Sequence, residues 1–274
     1  MQPGAKIIEG LSHEQYAELP GEHSGGLKHM LVSPWQYARM AELPDNGETD
    51  AMRLGRATHT AIFQPERLNE EYIAWDGDRR GNAWDEFSAE AALNCQTVLK
   101  NEQLDEAVKI ARAVRRHKIV SGYLCVDGRA ELVLTWIHDR TGIRLRARLD
   151  WLGSVLADLK TCRDPAPGRF STTSAQFGYH IQLALYADAA AACGLGTPPV
   201  RIIAAQNHEP YDVVVYKLHE DALYVGRMEY ERALDLLVAC RESGQWPGLA
   251  PDEELPLVLP AWTVPDMGKL EDVA

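Results

Sequence analysis

Five cysteines are few for 274 residues, and they are scattered. Cys95, Cys125, Cys162, Cys193 and Cys240 form no Cys-x-x-Cys pair. This makes a zinc site unlike anything the sequence offers, and an odd, dispersed set gives no disulfide framework. No apolar run is long enough to cross a bilayer, and no signal peptide opens the chain. The expectation is therefore a protein of the reducing cytoplasm with no membrane partner. Internal repeats and low-complexity blocks are also missing. So is an excess of positive charge: the formal net charge is −12, the wrong sign for gripping a polyanion over the whole surface.

What remains is an ordinary globular composition, 46% hydrophobic and 25% charged, on a chain long enough for one large α/β domain with a substantial core. The charge is uneven. Residues 1–50 and residues 249–274 each carry a net −5, which leaves −2 for the middle. Within 140–170, Arg140, Arg144, Arg146, Arg148, Lys160, Arg163 and Arg169 face only Asp150, Asp158 and Asp164. That stretch predicts a local basic field able to steer an anionic ligand.

Residues 143–151 alternate. Ile143, Leu145, Ala147, Leu149 and Trp151 share one parity, and Arg144, Arg146, Arg148 and Asp150 the other. The pattern predicts a half-buried strand. Residues 155–161 repeat it, with Asp158 and Lys160 opposite in parity to Val155, Ala157 and Leu159, and Gly153-Ser154 supplies a turn between the two runs. A three-residue loop centred on Ser154 sets Asp150 directly across from Asp158, whereas a two-residue loop sends them to opposite faces. Facing carboxylates are unfavourable in a purely structural hairpin, and a hard cation such as Mg²⁺ or Mn²⁺ removes the conflict. Lys160 projects on the same side as Asp158, about 7 Å along the strand. From there it can orient a water or stabilise charge developing at a phosphorus.

Two helical pairs accompany the hairpin. Gln182 and Tyr186 share a face of an Ala-rich helix predicted from Ser174 to Cys193. Gly55 and His59 do the same on a helix predicted from about Asp50 to Phe63. Taken singly, each is as compatible with an amphipathic helix or a structural histidine as with a site.

Together, Gly55-x-x-x-His59, Glu131 in Ala130-Glu-Leu-Val-Leu-Thr-Trp136, Asp150, Asp158-x-Lys160 and Gln182-x-x-x-Tyr186 resemble the RecB-like branch of the PD-(D/E)xK nucleases. The resemblance is nearest to the RecE type (exodeoxyribonuclease VIII) and its phage relatives. Ser24-Gly-Gly-Leu-Lys28, Ser33-Pro-Trp-Gln-Tyr37, Leu54-Gly-Arg-Ala-Thr-His59 and Tyr179-His-Ile-Gln-Leu-Ala-Leu-Tyr186 extend it over about residues 22–245. It implies a restriction-endonuclease-like α/β core, a mixed central sheet flanked by helices. Metal ligation would come from His59, Asp150, Asp158 and the main-chain carbonyl of Leu159, with Mg²⁺ as cofactor and Mn²⁺ able to substitute. Lys160 would be the catalytic lysine, Gln182 and Tyr186 the downstream motif, and Glu131 the upstream acid. The implied activity is 5′ to 3′ exonuclease action on double-stranded DNA ends in recombination. The implied partners are a single-strand annealing recombinase and further copies of the chain in a ring. The loop between Asp150 and Asp158 is short for the family, and the lack of a cysteine cluster sets the chain apart from iron–sulfur members of the branch.

Elsewhere the sequence predicts loops and helices near the N-terminus and a charged helix over 101–118. The basic end of that helix suits a helix C-terminus and equally a DNA backbone. Strands are predicted at 130–137, 200–207 and 212–218, and a closing helix over 219–243. Residues 1–248 are expected to form one domain, followed by an acidic, Pro-rich tail over 249–274 carrying Leu257, Val258, Leu259 and Trp262.

Overall fold

The computed structural model of the chain describes residues 1–40, 49–250 and 252–259. The elements run β1 (Lys6–Ile8), α1 (His13–Glu18), α2 (Ser24–Val32), α3 (Pro34–Met40), α4 (Asp50–Phe63), α5 (Leu68–Glu71), β2 (Tyr72–Trp75), α6 (Asn82–Leu93), β3 (Thr97–Lys100), α7 (Asn101–Arg116) and α8 (Lys118–Leu124). They continue with β4 (Arg129–Ile137), β5 (Arg144–Leu152), β6 (Leu156–Cys162), α9 (Pro167–Gln176), α10 (Tyr179–Ala192), β7 (Val200–Gln206), β8 (Val213–Lys217) and α11 (Glu220–Ser243). Six strands form the central sheet in the order β1-β4-β5-β6-β7-β8. Only β6 and β7 run parallel, so the chain between them must cross over a sheet face, and α9 and α10 make that crossing. This is the mixed sheet flanked by helices that the sequence implied.

Each face has its own core. On one side α2, α10 and α11 bury Leu27, Met30, Leu183, Tyr230 and Leu237 against Leu134, Leu145, Leu149 and Ile202. On the other, α4, α7 and α8 bury Ile62, Ile110, Val114 and Val120 against Trp151, Ala157, Leu159 and Ile203. Each fully buried leucine contributes about 1.5–3 kcal/mol. A satellite cluster of Ala57, Tyr72, Leu99 and Ala107 ties the two-stranded parallel sheet β2-β3 to α4 and α7.

Helix α4 starts where the sequence places it. The Thr49 hydroxyl accepts the Met52 N–H at 3.2 Å, and Asp50 complements the helix dipole in the first turn. The predicted helix from Ser174 to Cys193 is instead two helices. Gly178 sits between them at φ +60°, and a Cβ there would meet Lys28 Cδ at 2.9 Å. The left-handed glycine ends α9 and re-aims the chain into α10.

The uniform alternation expected over 143–151 also breaks. Leu145, Ala147 and Leu149 lie in the first core, but Trp151 lies in the second. Pairing of β4 with β5 is interrupted between Leu132–Leu149 and Ala130–Trp151, where Glu131 adopts φ +50°. That interruption turns the strand over and leaves Asp150, Trp151 and Leu152 all buried, so the half-buried description holds only for its first half. Interruptions of this kind re-aim side chains beside functional sites.

Three arginines of the basic stretch have partners of their own, while Arg148 and Lys160 lie in the site. Arg140 pairs with Glu231 and Asp235 on α11, away from Asp158. Arg146 donates to the carbonyls of Tyr16 and Ala17, and Arg169 pairs with Asp164 at 3.3 Å. Residues 252–259 form no helix or strand and expose Leu255, Leu257 and Val258. Trp262 lies outside the described residues. No helix among the described residues is long and apolar enough to cross a membrane.

Candidate active site

The site lies where β5 and β6 part. Their ladder pairs Leu152 with Leu156 and Trp151 with Ala157 around a loop centred on Ser154, the three-residue alternative. One step further, Asp150 would face Asp158, but the backbone pairing has ended. The Leu159 N–H donates to Asp150 Oδ2 at 2.7 Å instead. A side-chain acceptor thus replaces a backbone one, so the Leu159 N–H is not orphaned where the strands separate.

Three donors meet on the β5 side of this gap. His59, on α4, brings Nδ1 to 3.3 Å from Asp150 Oδ2 and 4.0 Å from Glu131 Oε1. One ligand atom from each of His59, Glu131 and Asp150 lies within 4.8 Å of the others. Arg148 Nε holds the second Glu131 oxygen at 2.5 Å.

On the β6 side, Asp158 is 1% exposed and stands outside that trio. Lys160 Nζ lies 2.6 Å from Asp158 Oδ2 and donates to Gln182 Oε1 at 3.3 Å. The Gln182 amide donates to Asp158 Oδ1 at 3.2 Å and to the Tyr186 hydroxyl at 3.0 Å. The Tyr179 ring lies 4.9 Å beneath the ammonium of Lys160. Residues predicted from five separate elements are thereby brought together in two groups that face each other across the split.

Three residues of the neighbourhood went unassigned at the level of sequence: Arg148, Tyr179 and Lys28. Arg148 had a signal in its parity with Asp150, and the other two fall inside motif segments. Lys28 donates to the Phe177 carbonyl at 2.9 Å. Burial, then the nearby charge of Lys160, depresses its pKa.

Burial and neighbouring charge pull against each other in this cluster. Burial works against a charged His59, but Asp150 and Glu131 outweigh it and hold the imidazole up at about 9. Burial pushes the Asp158 carboxyl up to about 6 despite Lys160. Burial and the Asp150 charge likewise push up Glu131. Although Asp158 Oδ2 touches Lys160, it takes no well-directed hydrogen bond. Two close carboxylates, an imidazole and an under-satisfied buried oxygen across the gap suit a divalent cation that prefers oxygen ligands and tolerates nitrogen.

A family described as "PDDEXK-like domain of unknown function (DUF3799)" matches residues 24–254. The chain belongs to this family. A solved structure from Eubacterium rectale, named a putative exonuclease, aligns with this PDDEXK-like chain over 94% of its length and 99% of that protein's, at a TM-score of 0.62. At 13% identity the likeness concerns the fold. No curated protein matches the PDDEXK-like chain.

A first prediction follows from the donor set of His59, Glu131 and Asp150. Mg²⁺ or Mn²⁺ at a hundred times its Kd should stabilise the protein by about 2.7 kcal/mol, raising Tm by roughly 5–10 °C for a chain of this size. The gain should grow as pH rises from 7 towards 9, because the cation must displace a proton from His59. Thermal unfolding with and without EDTA measures it. Asp150→Ala should abolish the gain, and a wild-type Tm indifferent to either metal would rule out a cation site at His59, Glu131 and Asp150.

Proposed function

We propose that this PDDEXK-like protein is a divalent-metal-dependent deoxyribonuclease. The observation that carries the reading is the juxtaposition of the His59–Glu131–Asp150 trio with Asp158 and Lys160 across two diverging strands. His59, Glu131, Asp150 and Asp158 would hold Mg²⁺, or Mn²⁺ in its place, with the Leu159 carbonyl added to the shell. The cation supplies Lewis-acid stabilisation of the phosphodiester and makes water a competent nucleophile at neutral pH. Lys160 orients that water or offsets charge building on the phosphoryl oxygens. Gln182 fixes Lys160 and Asp158 relative to each other, and Tyr186 fixes Gln182 through their hydrogen bond. Attack by water breaks one P–O bond of the DNA backbone and leaves a phosphate on one fragment and a hydroxyl on the other.

The resemblance to RecE-type nucleases supports a finer reading. The enzyme would act in the cytoplasm as an exonuclease on double-stranded ends, 5′ to 3′, as a ring of copies. It would hand its 3′ overhang to a single-strand annealing recombinase. Linear duplex labelled at either end, with Mg²⁺, Mn²⁺ or EDTA and a closed circle alongside, tests both levels. Metal-dependent loss of the 5′ label from linear DNA alone is the expected result. Cutting of circles would replace the exonuclease with an endonuclease of the same fold. No cleavage with either metal would sink the nuclease reading and leave a binding module.

A further inference from the structure

Beside Lys160 the surface offers a cation and a partly exposed aromatic ring. Lys28 projects from α2, and a Cβ at Gly178 would overlap its stem. Among the described residues its hydrogen-bond partner is the neutral carbonyl of Phe177, and no carboxylate pairs with it. Its half-buried ammonium is set near a second ammonium, Lys160, and the Asp158 carboxylate between these two charges already pairs with Lys160, which leaves one positive charge for an arriving anion to offset. Phe177 closes α9 and is 58% exposed as a residue. Its ring is stacked on Tyr179 at a centroid distance of 5.9 Å and an interplanar angle of 17°. Tyr179 lies in turn beneath Lys160, so Phe177 is one ring removed from the reacting groups. Its inner face is supported and its outer face is open.

Building on the nuclease reading above, we infer that Lys28 and Phe177 form a nucleotide subsite of the DNA track, Lys28 taking a backbone phosphate and the open face of Phe177 stacking on a nucleobase. An aromatic face binds any base, so the subsite serves strand capture without sequence preference. It calls for an unpaired base, because a base inside a duplex has no free face. A frayed or single-stranded stretch is thus the form of DNA that fits next to the metal cluster.

The test measures affinity for a fluorescent DNA with a single-stranded extension by anisotropy, with Ca²⁺ replacing Mg²⁺ to suppress cleavage. Phe177→Ala should weaken binding about 5- to 100-fold, the range of one base stack, with Tm and the Mg²⁺-induced rise in Tm unchanged. Phe177→Trp should restore affinity and Phe177→Leu should not. Lys28→Gln should weaken binding and lower the slope of log K against log salt by about one. An oligonucleotide with abasic sites should bind wild type and Phe177→Ala alike. Wild-type cleavage and binding with both variants unchanged would overturn the subsite and spare the nuclease reading. A wild-type protein that binds no DNA would overturn both. A Phe177→Ala protein altered in mass rather than in affinity would place the ring in a contact between copies and also overturn it.

Discussion

Asp158→Ala should lower metal-dependent DNA cleavage by at least about a thousandfold, and Lys160→Met should do the same, since groups acting as one unit each cost nearly the whole effect when removed. The double variant should be little worse than either single one. The two losses have different causes, and a metal-binding readout separates them. Lys160 touches Asp158 and Gln182 and none of the His59–Glu131–Asp150 donors, so Lys160→Met should retain the Mg²⁺-induced rise in Tm while cleavage disappears. Asp158→Ala strips a buried ammonium of the carboxylate it pairs with, which alone costs stability. Asp158→Asn is the cleaner variant, because an amide oxygen can still accept from Gln182. It should fold, bind metal more weakly and stay inactive. Single-turnover cleavage of labelled duplex gives the rates. A Lys160→Met protein within tenfold of wild type would remove Lys160 from the chemistry.

Local signals in the sequence carried much of this arrangement. The period-2 runs that became β5 and β6 are strong, and Gly153-Ser154 fixed a turn that only register could resolve. Helix α4 has the bounds that the sequence predicts, Asp50 to Phe63. The failures share one cause, that the deciding interaction is distant in sequence. Nothing near Glu131 indicates a left-handed backbone inside a strand, and with that hidden, Trp151 was assigned to the wrong face. The β2-β3 sheet joins Tyr72–Trp75 to Thr97–Lys100 across a whole helix, a parallel pairing that no turn residue signals. The partners of Arg140 and Arg146 are not legible locally, because Glu231, Asp235 and the Tyr16 carbonyl lie far along the chain. Gly178 was visible, but in an Ala-rich run it reads as a tolerated helix glycine until Lys28 is seen lying across it. Lys28 was hidden in the same way, its proximity to Lys160 being a product of tertiary packing.

Gly226→Ala should be strongly damaging, since among the described glycines its added methyl would come nearest to another atom. On α11, a Cβ at this position would stand 2.2 Å from the His180 carbonyl oxygen, 2.6 Å from its carbon and 3.0 Å from the Ile181 nitrogen. All three are backbone atoms of the first turn of α10, so no rotamer can relieve the clash and the two helices must separate. Overpacking of this severity costs about 3 kcal/mol, or roughly 6–12 °C in Tm. The damage should also reach the site, because Gln182 follows Ile181 directly. Moving that turn pulls its amide away from Asp158 and its carbonyl away from Lys160. The metal trio comes from α4, β4 and β5, elements that α11 does not support at this point. Below its own Tm, Gly226→Ala should therefore keep a Mg²⁺-induced stabilisation while its cleavage rate falls. Gly122→Ala on α8 is the matched control, since no described atom lies within 4 Å of the added methyl, and it should gain up to about 1 kcal/mol from helix propensity. If Gly226→Ala melts at the wild-type temperature, the close approach of α11 to α10 is not real. If it melts low but cleaves normally, Gln182 is not what holds Asp158 and Lys160 in register.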